Sequence, residues 1–180
     1  MSLQHGSRWY HEPGTYSKSN FGTSRTPRII INAASSGLND TDTSQRFQRV
    51  WINGSQVLSA GTPRSYRITK LRQNNGQWSY IGTATYDAYG SVAQAQAMAA
   101  DLLTWLDGEI LILSTQDEPN GNRGEFMGIL RDDFNSQIHS FPRDYRDSHL
   151  LIAVKGVGRI YEAHVPRYSQ NGVRYAGYLL

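Results

Sequence analysis

The residues best suited to chemistry in this chain fall at two points, Asp117-Glu118 and Tyr145-Arg146-Asp147-Ser148, each beside a run of apolar residues. Arg146 offers a planar fork of N–H donors that suits paired hydroxyls or a carboxylate. Tyr145 adds an aromatic face for stacking. The same residues also suit a loop pin, with Arg146 paired to Asp147 or Asp117, and residue chemistry alone balances the two readings. Asp117 follows the apolar run 109–115, and loops over a covered sheet commonly carry ligand contacts. Its plainer reading, a turn former ahead of Pro119, is the one that residue chemistry favours.

Other chemistries lack their spacing. His5, His11, His139, His149 and His164 show no i, i+4 pair with a carboxylate of the kind that holds zinc. His149 and His164 fall in expected strands and read as structural. There is no Gly-x-Ser-x-Gly elbow and no Walker loop, and Gly156-Val157-Gly158 links two expected strands rather than opening a helix. Asp132-Asp133 are neighbours along the chain and so do not face each other across a cleft, as a glycosidase pair must. They read as the solvated side of a helix. The chain has no cysteine, hence no disulfide framework and no thiolate chemistry. The expectation is a protein without catalytic centre, metal or cofactor.

These residues need elements to position them. Residues 28–32 and 49–52 read as buried strands, with Asn53-Gly54 turning the second into a strand over 56–58. Residues 65–71 and 78–84 alternate apolar with polar around Asn74-Asn75-Gly76, a strong hairpin signal. Ser91 suits an N-cap for a helix over 92–106, with Val92, Ala95, Ala99, Leu102, Leu103 and Leu106 at helical spacing and Gly108 as its left-handed stop. The runs 109–115 and 150–154 are continuously apolar, as strands covered on both faces are. Between them Phe126, Ile129, Leu130 and Phe134 mark one face of a second helix. Strands over 159–165 and 173–180 complete the set. This pattern predicts an α/β (α+β) domain over 28–180 with two layers of sheet and two packed helices.

Residues 1–27 differ. They are rich in Ser, Thr, Gly and Asn and show no periodicity, yet they hold Trp9, Tyr10, Tyr16 and Phe21. They are expected to form an extended arm whose aromatics dock on another surface. The formal charge of +3 comes from 18 basic and 15 acidic residues scattered without runs, which argues against nucleic acid as a partner. No stretch has the length of a membrane span. The first residues, Met1-Ser2-Leu3-Gln4-His5, lack the apolar core of a signal peptide. Synthesis in a reducing cytoplasm is expected.

An ordered set of segments resembles the interleukin-like EMT inducer domain. That domain occurs in pancreatic-derived-factor-like proteins, in the stem of the protein O-mannose N-acetylglucosaminyltransferase and in phage tail proteins. The resemblance covers about residues 29–158. It runs through Ile29 to Asn39, then Arg49-Val50-Trp51-Ile52-Asn53-Gly54, Tyr86-Asp87-Ala88-Tyr89 and Gly108 to Glu118. Its most specific part is Arg146-Asp147-Ser148-His149 followed by a strand and Lys155-Gly156, with His149 where the family has Trp. The resemblance implies a two-layer β-sandwich-like β-β-α domain with no catalytic centre. It implies a carbohydrate site at Asp117 and Arg146, with Arg46 as a third contact after a one-residue slip in spacing, beside Tyr145 and Asp147. A phage member fits a chain without cysteine or leader. The expectation is therefore a virion tail or baseplate accessory protein that binds host surface glycan and meets other virion proteins through its arm. The alternative is a purely structural virion assembly or decoration protein.

Overall fold

The computed structural model describes residues 28–37, 48–58, 64–117, 121–141, 147–165 and 173–179. The expected arm, Arg46, Tyr145 and Arg146 lie outside the described residues. The chain is a mixed α/β domain, rich in sheet, with two helices packed on it. Its strands are β1 (Ile29–Gly37), β2 (Arg49–Ile52), β3 (Ser55–Leu58), β4 (Ser65–Asn74), β5 (Gln77–Tyr86), β6 (Ile110–Asp117), β7 (Ser148–Val154), β8 (Gly158–Val165) and β9 (Val173–Leu179). Its helices are α1 (Val92–Leu103) and α2 (Gly124–Phe134), with a short 3-10 helix at Ile138–Ser140. Among the described residues no helix is long and apolar enough to cross a membrane.

The middle of the hydrogen-bonded array is β6. It pairs antiparallel with β4 on one side and β7 on the other, with β5 beyond β4 and β8 beyond β7. For most of its length β1 pairs antiparallel with β2 and β9, and β3 lies beyond β2. Its last two residues turn to run parallel to β6, with Ser36 opposite Gln116 and Gly37 opposite Asp117. This splice needs polar side chains, because the β6–β7 ladder stops at Ser114 opposite Leu150 and buried backbone groups beyond it require partners. The Ser35 hydroxyl donates to the Thr115 carbonyl at 2.6 Å and accepts from the Thr115 N–H at 3.0 Å. The Thr115 hydroxyl accepts from the His149 N–H at 2.8 Å.

Alternation along β6 and β7 explains their continuous apolar sequence. Leu111, Leu113, Leu151 and Ala153 join a buried cluster with Phe126, Leu130 and Phe134 of α2 and Ala95, Met98 and Leu102 of α1. Ile110, Ile112, Leu150 and Ile152 join a separate cluster with residues of β1, β2, β3 and β9. Both expected hairpin turns are present. Asn53 and Gly54 hold φ of 49° and 81°, and Asn75 and Gly76 hold 49° and 77°, the paired positive values that a two-residue turn between twisted strands requires.

Helix α1 departs from expectation in length and in face. It ends at Leu103 rather than 106, because the Thr104 hydroxyl donates to the Asp101 carbonyl at 2.7 Å and closes the last turn. Gly108, at φ 86°, serves the following turn into β6. The buried stripe is Ala95, Met98 and Leu102, while Val92, Leu103 and Leu106 are 48%, 62% and 58% exposed. In an alanine-rich segment two apolar stripes compete, and packing against β-strand side chains selects one. Ser91 is the N-cap, its side chain accepting from the Gln94 N–H at 3.2 Å. Ser91→Ala is expected to lower stability by about 1 kcal/mol, read from chemical denaturation.

Candidate functional site

Several chain ends meet at one rim of the sheet, around the C-terminal end of β6. Beside Asp117 lies Gly37, closing β1, and across from Gln116 lies Ser65, opening β4. Gln48 leads into β2, and its Nε2 donates to the Ser114 carbonyl at 2.8 Å and to the Ser65 carbonyl at 3.2 Å. β7 begins after Asp147, opposite the end of β8, since Ser148 pairs with Val165. β5 ends there too, with Tyr86 opposite Tyr66. The rim is thus made by antiparallel geometry from segments far apart in sequence.

The expected site residues occupy this rim at different depths. Asp117 is half-buried and holds φ 68°, a left-handed conformation that Asp tolerates better than most residues. Asp147 lies beneath the surface. It is 1% exposed, and its Oδ2 is 2.8 Å from His164 Nε2. Of the expected set, Asp117 and Asp147 are therefore brought to one end of the sheet. Arg46, Tyr145 and Arg146 belong to segments outside the described residues.

Under the rim is a buried polar network on the helix-facing side of β7 and β8. His149 and His164 are cross-strand partners. Phe141 covers both, stacked on His164 at 4.8 Å between ring centroids and edge-on to His149 at 5.5 Å. His149 Nε2 is 2.9 Å from Glu162 Oε1, which also accepts from the Ser136 hydroxyl at 2.5 Å. Glu162 Oε2 accepts from the Gln137 N–H at 2.7 Å and from Arg159 at 3.1 Å. Burial pushes His149 below its ordinary pKa; its Nε2 faces the Glu162 carboxylate, and its Nδ1 is buried without a partner. Burial raises Glu162, but the bonds from His149, Gln137 and Ser136 outweigh it and hold the carboxyl below its usual range. The four donors occupy both carboxylate oxygens. Glu162 anchors the α2–β7 connection.

Sequence reasoning placed His149 and His164 in strands but did not pair them with acids. The available signal was alternation: Asp147 with His149, and Glu162 with His164, each two apart on strands joined by the turn at 155–157. Period two puts each pair on one face, and a tight hairpin then sets the faces opposite.

The chain was also compared with protein-family models and with curated proteins. It matches none of them. Among the described residues no group of three or more His, Cys, Asp or Glu side chains is arranged to hold a metal ion. A pocket of about 180 Å³ lies at the end away from the rim, lined by Asp107, Asp132, Asp133 and Lys155 beside the β7–β8 turn. Asp133 and Lys155 are ion-paired there at 3.1 Å, so part of its charge is internally compensated.

Proposed function

We propose that this chain is a non-catalytic binding module whose rim around Asp117 takes host surface carbohydrate. In this reading it is a virion tail or baseplate accessory protein of the interleukin-like EMT inducer type, with a β-β-α sandwich architecture. The observation that carries the site is convergence. Asp117 shares the rim with Gln48, two residues after Arg46, and with Asp147, which follows Arg146 directly. The architecture is supported by the two separate clusters on alternate residues of β6 and β7.

A second reading, a purely structural virion protein, draws on the burial of Asp147 against His164. Arg146 would then pin a loop beside it. The two readings separate on substitution. If carbohydrate binds here, Asp117→Ala should weaken polysaccharide binding about tenfold or more, the worth of a hydrogen bond to a charged group. Alanine at φ 68° costs about 1 kcal/mol, so the melting temperature of this variant should fall by a few degrees while the domain stays folded. The measurement is binding to an array of bacterial surface polysaccharides. Undiminished binding by Asp117→Ala, or no binding by the unsubstituted chain, sinks the carbohydrate reading. A structural role instead predicts that Arg146→Ala lowers both melting temperature and incorporation into particles.

A further inference from the structure

The rim carries a second cluster, exposed and outside the set that the resemblance assigns. Arg64 directly precedes β4. The β4–β6 register ends with Ser65 opposite Gln116, and Arg64 and Asp117 are the next residues beyond that pair on the two chains. Both positions are left-handed, with φ of 59° and 68°. An arginine has no local reason to adopt that conformation, and such outliers concentrate where a surface must be shaped for function. The Arg64 guanidinium lies 3.2 Å from Asp87 Oδ2 and 5.9 Å from the centroid of the Tyr89 ring.

The backbone beneath Tyr89 is tightly held. Asn122 Nδ2 donates to the carbonyls of Ala88 and Tyr89 at 2.9 and 3.1 Å. Gly121 sits so near that a Cβ there would lie 2.5 Å from the Tyr89 carbonyl oxygen. Asp87 Oδ1 accepts from the Gly90 N–H at 2.8 Å. Tyr89 is 38% exposed, and the side chains of Arg64 and Asp87 are 51% and 33% exposed. An aromatic plate on fixed backbone, flanked by an N–H fork and a carboxylate, loses little entropy when a ligand settles on it.

We infer that Arg64, Asp87 and Tyr89 form an aromatic subsite that takes one neutral pyranose unit next to the unit bound at Asp117. The ring of Tyr89 meets a C–H face of the sugar. Its vicinal hydroxyls accept from Arg64 and donate to Asp87. Arg64 and Asp87 cancel in charge, so the subsite favours a neutral sugar over an acidic one, a phosphate or a nucleic acid. Gly121 lies four residues beyond Asp117 and touches Tyr89, which keeps both points within about 14 Å of chain reach, the scale of a short oligosaccharide. This subsite rests on the carbohydrate reading of Asp117.

The test is titration of the full chain and its variants against the array polysaccharides, with melting temperatures recorded alongside. Tyr89→Ala and Arg64→Gly are expected to weaken binding of neutral chains about tenfold, and Tyr89→Phe to stay within about twofold. Glycine is chosen at Arg64 because it keeps the left-handed backbone without strain. If both variants bind as tightly as the unsubstituted chain while Asp117→Ala loses binding, the subsite is wrong and the rim reading stands. Binding confined to acidic polysaccharides also overturns it. If the unsubstituted chain binds no glycan, or Asp117→Ala binds undiminished, the carbohydrate reading fails and the subsite with it. Should either variant fold poorly, the affinities of the unsubstituted chain for long and short neutral fragments are read instead: a long fragment should bind several-fold more tightly than one spanning a single unit, and equal affinities overturn the subsite.

Discussion

Replacing Glu162 by Ala should cost about 3–5 kcal/mol of folding stability, against a total of about 5–15 kcal/mol for a domain of this size. The Glu162 side chain is 2% exposed and accepts four bonds, from His149, Ser136, Gln137 and Arg159. Alanine removes the acceptor and leaves those donors in place, and each buried polar group without a partner costs about 1–3 kcal/mol. The methylenes lost are a minor part. Glu162→Gln keeps the shape and one acceptor oxygen, so its loss should be smaller than that of Ala. Urea denaturation gives the comparison, and a loss under about 1 kcal/mol for Glu162→Ala would show that the network does not hold the α2–β7 connection.

The same network sets a pH dependence. His149 binds its proton more weakly when folded than at its ordinary pKa of 6.5, so the unfolded chain takes up the extra proton as pH falls. Stability therefore declines as pH drops below about 6.5. Glu162 is also held below its ordinary 4.5, and it adds a second decline as pH falls through that value. Above neutrality neither group changes its protonation in either state, so neither contributes a slope. In Glu162→Ala the lower limb should flatten relative to the unsubstituted chain, because the group that titrates there is gone.

How far the sequence could reveal this molecule depended on whether the signal was local. The runs at β6 and β7 were legible because a strand buried on both faces needs apolar residues at every position. The Asn-Gly turns and the Ser91 cap were legible because each is fixed by a residue's own conformational or hydrogen-bonding preference. The second half of β1 was not, since Asn32, Ala33, Ala34, Ser35 and Ser36 lack the bulk of a strand core. Ser35 and Ser36 are buried there only because β1 crosses to β6 and finds Thr115. At the rim, Asp117 could be placed at the end of a strand from sequence. Alternation puts Asp147 with His149, and Glu162 with His164, on one face, but that His149 meets Glu162 and His164 meets Asp147 depends on cross-strand register. Arg64 gave no signal either, as nothing in an arginine announces a positive φ.

Phe126→Ala should be comparably damaging, at about 3–5 kcal/mol, and it tests which faces of the helices meet the sheet. Phe126 is fully buried on α2 and meets Tyr66 of β4 edge-on, at 4.9 Å between centroids and 72° between planes. That contact ties α2 to the strand whose first residue opens the rim, so the loss combines transfer, cavity and aromatic contributions. Leu103→Ala is the matched control on α1. A stripe read from sequence spacing includes Leu103, but the residue is 62% exposed, and truncation there should change stability by no more than about 0.5 kcal/mol. Equal losses for the two variants in chemical denaturation would mean that Leu103 is packed, and that Ala95, Met98 and Leu102 do not alone define the contact face of α1. A large loss at Phe126 with almost none at Leu103 fixes both helices on the sheet by the side chains that carry the energy.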